Sequence, residues 1–173
     1  FNLLKKEIKI KNKEIIISKK KIKFLNNKQI YVVAFGKMAD TMINSSYRIF
    51  AKTRNVSFFS ISNKLEKKFP KNIIRYKSLH PLPGKLSLIV TRKLIEFLKK
   101  IERNSIIIFL ISGGGSSMLA NPINGVSLNK KIRLTKKLFT LNTEPKYLNY
   151  YRIALSKIKN GGLLQYIKAN NIF

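Results

Sequence analysis

With 173 residues and no cysteine, the chain excludes disulfide bridges, thiolate metal sites and cysteine catalysis, and its length suits one domain with a sizeable core. Its 36 Lys and Arg face only 7 Asp and Glu, a net charge of +29, so a site built from paired carboxylates is not expected. Mean hydropathy is -0.10, and no apolar run approaches the roughly 18 residues that a membrane-spanning helix requires.

The opening NLLKKEIKIKNKEIII has neither the apolar region nor the cleavage site of a signal peptide, which points to a cytoplasmic chain. Residues 1–28 are Lys-rich with interleaved Ile and Leu and read as a helical lead-in. QIYVVAF (29–35) is a short, uninterrupted, β-branched run that suits a buried parallel strand. The stretch after Gly36-Lys37 has helical spacing over residues 38–52. VSFFSI (56–61) and NIIRY (72–76) are further strands, and LSLIVTRKLIEFLKKI (86–101) is the best amphipathic helix. SIIIFLI (105–111) is the strongest strand. From Leu128 the pattern is helical, broken at residues 142–145 and again at 160–162. Apolar strands alternating with helices predict an α/β fold over residues 29–173, a Rossmann-like parallel sheet with helices on both faces.

In such sheets the ligand crevice lies beyond the carboxyl ends of the strands. The residues after Phe35, Tyr76 and Ile111 should therefore converge. They are Gly36-Lys37, the segment HPLPG with the single histidine His80, and SGGGSS, which spans Ser112, Gly113, Gly114, Gly115, Ser116 and Ser117. A lysine at a helix start opposes the positive end of the dipole unless an anion lies there. Three glycines let backbone N–H groups approach a ligand, and the serines add hydroxyl donors. The run fits neither the dinucleotide fingerprint nor the phosphate loop with its following lysine. It reads as an anion cradle.

The positive charge has two readings. A basic surface attracts nucleic acid. An A/T-rich genome would inflate Lys, Asn, Ile and Phe together. The excess of lysine over arginine and its spread along the chain favour composition, with nonspecific RNA or DNA adhesion as a side effect.

Taken in order, VVAFGKMADTM, LHPLPGKLS, LISGGGSSMLANPINGVSLNKK and NYYRIALSKIKNGG resemble the glycerate 2-kinase family, class II. The resemblance runs from about residue 29 to 162. It implies the N-terminal domain of a two-domain enzyme that uses ATP and Mg2+ to phosphorylate D-glycerate at its 2-hydroxyl. On that basis Lys37 and Arg152 are expected to be catalytic, neutralising the transferring phosphoryl group. Ser112 to Ser117, His80 and Lys159 are expected to bind substrate or phosphate. Partners would be glycerate, ATP and a second domain outside these residues, which would also carry most metal ligands. The segment alone is not expected to catalyse. The chain departs from the family pattern at Gly84, Tyr147, Ile153-Ala154 and Asn160. The alternatives are a basic nucleic-acid-binding α/β module and a degenerate, non-catalytic relative.

Overall fold

The computed structural model describes residues 2–11, 14–17, 20–23 and 28–173. A short helix α1 (Asn2–Glu7) leads into an antiparallel ribbon of β1 (Ile8–Lys11), β2 (Glu14–Ile17) and β3 (Lys20–Lys23). The expectation of a helical lead-in is corrected here, since among the described residues of 1–28 helix covers only Asn2–Glu7 and strands follow it. Ile and Lys alternate with period two in IKIK, so a strand places isoleucine inward and lysine outward. Ile8 and Ile15 are buried in the core, whereas Lys9 and Lys11 face solvent. Ile8 pairs with Ile17 and Ile15 with Ile22, which fixes the register.

The main sheet contains β4 (Ile30–Phe35), β5 (Val56–Ser62), β6 (Ile74–Lys77), β7 (Ile106–Ile111) and β8 (Asn171–Ile172). All neighbours are parallel, in the order β6-β5-β4-β7-β8. Helix α2 (Ala39–Ile49) follows β4, and α3 (Lys85–Lys99) follows β6. After β7 come the single turn α4 (Gly115–Met118), then α5 (Leu128–Thr140), α6 (Pro145–Ala154) and a 3-10 turn over Gly162–Tyr166. The expected strands of the main sheet are present with no end shifted by more than two residues. Only β8 was not anticipated, because a two-residue strand offers no periodicity to read.

Alternation along the strands divides the core between the two faces. Ile30, Val32 and Ala34 pack with Ile106 and Ile108 against α2 and the ribbon. Val33 and Phe35 point the other way and meet Val90, Leu94 and Leu98, one stripe of α3. Strands buried on both sides explain the uninterrupted apolar runs. Among the described residues no helix is long and apolar enough to cross a membrane.

Candidate anion-binding site

The chain leaves β4 toward β5 and leaves β7 toward β8, on opposite sides of the sheet. This reversal is the switch point where open parallel sheets form their crevice. Phe35 lies level with both Ile61 and Ile111, so Gly36 and Ser112 emerge side by side. Gly36 has φ 122°, and a Cβ there would lie 2.3 Å from Ser112 Oγ, so only glycine fits. The two turns are tied together: Lys37 N donates to Gly113 O at 2.8 Å and Met38 N to Ser112 Oγ at 3.0 Å.

Gly114 has φ 89°, and a Cβ on it would meet His80 Cδ2 at 2.7 Å and Lys37 Cγ at 3.2 Å. Those contacts bring all three strand-end segments to one point, as the crevice rule required. His80 enters through a cis peptide to Pro81. The amide N–H groups of Gly113, Gly114, Gly115 and Ser116 have no hydrogen-bond partner among the described residues. Four consecutive unpaired donors around a glycine turn are the chemistry of an anion cradle. Ser117 has a different part. It is buried, its hydroxyl donates to Gly114 O at 2.9 Å, and it closes the turn from within.

Cations surround this cradle. Lys159 Nζ donates to Ser116 O at 2.8 Å and is also bonded to Ser116 Oγ. Its amine is lowered from 10.5 to about 7, chiefly by burial and then by repulsion from Lys131 and Arg152. Arg152, in the last turn of α6, is half-buried over the Phe139 ring and lowered by the same desolvation. His80 is lowered by burial first, then by Lys37 and Arg152. These mutual repulsions mark one electrostatic cluster. Neither the Arg75–Asp40 pair nor the Lys93–Glu96 pair reaches this cluster, and no carboxylate pairs with its cations among the described residues.

Sequence reasoning missed Lys131. It is only 2% exposed, donates to Leu155 O at 3.1 Å beyond the C-terminus of α6, and is lowered to about 8 by burial and then by Arg152. The signal was its register. Lys131 shares the inward face of α5 with Thr135, whereas Lys130, Lys136 and Lys137 point out. Among many surface lysines, one on an apolar face is the informative one.

Asp40 also serves the site, although indirectly. It accepts from Ser60 Oγ at 2.7 Å and Glu66 N at 3.0 Å and pairs with Arg75, bracing the first turn of α2 next to Lys37. Beside the cradle opens a cavity of about 660 Å³ with apolar walls from Phe35, Phe109, Leu119 and Leu163, and with Ser116 and Lys159 in its lining. One of the departures from the family pattern has a local explanation. Asn160 holds φ 49°, a left-handed conformation that asparagine tolerates.

Comparison with known proteins places this geometry. The model of the family described as "Domain of unknown function (DUF4147)" matches residues 2–173. A glycerate 2-kinase from Picrophilus torridus is 34% identical over 148 residues, which are 85% of this chain and 35% of that protein. The crystal structure of a glycerate kinase from Thermotoga maritima superimposes with a TM-score of 0.72 at 28% identity, covering 85% of this chain and 36% of the other. A crystal structure of a Pyrococcus horikoshii protein gives 0.77 at 27% identity, covering 96% and 37%. The chain thus spans about a third of the length of the relatives it matches. It belongs to the DUF4147 family, and it fits the N-terminal domain of that family's glycerate 2-kinases.

Proposed function

We propose that this chain is the substrate- and phosphate-holding domain of a glycerate 2-kinase, in which the ATP γ-phosphoryl group passes to the 2-hydroxyl of D-glycerate. The observation that carries the reading is the cradle: four unpaired amides in a glycine turn, with Lys37, His80, Lys131, Arg152 and Lys159 gathered around it. Phosphoryl transfer needs positioning and charge stabilisation more than covalent help from the protein. ATP, when bound, supplies the phosphoryl group. The amides of Gly113 to Ser116 hold the anionic oxygens of phosphate or of the glycerate carboxylate. Lys37 and Arg152 neutralise charge that builds during transfer. Lys159 regains its proton when an anion arrives, because the anion offsets the burial and repulsion that depress it.

Among the described residues no group of three His, Cys, Asp or Glu stands together, so a magnesium ion bound through substrate phosphates would take its carboxylates from outside this cluster. No step is routed through it. The alternative of a basic nucleic-acid module is not favoured, because relatives matched over most of this chain are glycerate 2-kinases.

Calorimetric titration with pyrophosphate, ATP and D-glycerate tests the reading, alongside a coupled assay for ADP formation. Lys37→Ala and Arg152→Ala should each weaken pyrophosphate binding by about tenfold or more, in line with loss of a charge-assisted contact. Wild-type protein that binds none of the three ligands would end the proposal.

A further inference from the structure

Ser116 and Lys159 have a relationship that anion binding does not require. Lys159 Nζ bonds both oxygens of Ser116, the carbonyl at 2.8 Å and the hydroxyl. A neutral amine that donates one N–H to the carbonyl directs its lone pair at the hydroxyl proton. The residues around the amine lower its hold on the proton: burial, Lys131 from α5 and Arg152 from α6 all oppose the charge, and among the described residues no carboxylate pairs with it. Both residues line the cavity of about 660 Å³, whose other walls are mainly apolar. The unpaired amides of Gly113 to Ser116 stand in the same turn as the hydroxyl.

We infer that Ser116 and Lys159 form a nucleophile–base dyad that hydrolyses small, uncharged esters bound in the adjoining apolar cavity. A neutral lysine activates a serine as histidine does in the Ser-His arrangement. Ser116 Oγ attacks the ester carbonyl carbon while its proton passes to Lys159 Nζ. Turn amides are the donors available to the resulting oxyanion. The bond to the alcohol oxygen breaks, and the ammonium returns its proton to that leaving group, giving acyl-Ser116 and free alcohol. Water then attacks the acyl carbon, with Lys159 taking its proton and passing it back to Ser116 Oγ as the carboxylic acid departs. Ester and water become acid and alcohol, with no other reactant. An anionic substrate would protonate Lys159 and disarm the base, so the substrate class is uncharged. Phosphate should therefore inhibit.

The experiment combines p-nitrophenyl acetate and butyrate hydrolysis with labelling of the wild-type chain by an uncharged fluorophosphonate, the site being located by peptide mass spectrometry. Expected results are labelling at Ser116, hydrolysis that rises with pH through about 7, and inhibition by millimolar phosphate. Ser116→Ala and Lys159→Met should each lower the rate by about a hundredfold or more. Labelling elsewhere, or unchanged hydrolysis in Ser116→Ala, overturns the dyad. Labelling needs no variant, so a misfolded mutant cannot obscure the outcome. Pyrophosphate binding measured on the same preparation separates failure of the dyad from failure of the anion site.

Discussion

Replacing Lys159 by methionine should stabilise the protein, and the gain should depend on pH. Lys159 is held at about 7 in the folded chain against 10.5 when unfolded. Between those values the unfolded chain carries a proton that the folded chain has released, so stability rises with pH across the window. The penalty is fully present below about 7 and gone above about 10.5. At about 1.4 kcal/mol per pKa unit, the fall from 10.5 to about 7 corresponds to about 5 kcal/mol at pH 6 and about 1 kcal/mol at pH 9.5. Methionine removes the charge at similar length but loses two hydrogen bonds to Ser116, about 1 kcal/mol each. The variant should then be more stable than wild type by about 2–3 kcal/mol at pH 6 and less stable by about 1 kcal/mol at pH 9.5. Urea unfolding followed by circular dichroism in phosphate-free buffer measures this, since the chain has no tryptophan to serve as a fluorescent reporter. Saturating pyrophosphate should stabilise wild type at pH 6 and close most of the gap. A destabilised variant with no pH dependence would mean that the amine is compensated in the folded chain, and the anion-site argument would lose its electrostatic support.

Gly114→Ala forces a Cβ into a left-handed position 2.7 Å from His80, so it should cost about 1–3 kcal/mol and abolish the thermal shift produced by pyrophosphate. Asp40→Asn leaves Arg75 largely buried without its counter-charge; a loss of about 3 kcal/mol in urea titrations is expected, with weaker ligand binding because the Lys37 turn loosens. Ser127 caps α5 by accepting from Lys130 N at 3.1 Å, and Ser127→Ala should cost about 1 kcal/mol without changing ligand affinity.

Much of the fold was legible because its signals are local. IYVVAF and IIIFLI are apolar without interruption, which only a strand covered on both faces tolerates. The triple glycine after the second of them could be read as a cradle from backbone freedom alone. The ribbon of Ile8–Lys11, Glu14–Ile17 and Lys20–Lys23 was misread as helix: IKIK alternates with period two, but the helix propensity of lysine concealed it.

Tertiary structure decided how the charges are used. The sequence holds 36 cationic side chains; register turns Lys131 inward and the family motif marks Lys159, but neither signal says that the two amines are desolvated together. Burial against α6 and the glycine turn makes them different, because desolvation and mutual repulsion depend on neighbours distant in sequence. Ser117 and Ser116, adjacent in the chain, likewise part company: one hydroxyl closes the turn and the other meets Lys159. Local patterning determined where the backbone would offer its amides, whereas three-dimensional packing decided which side chains would surround them.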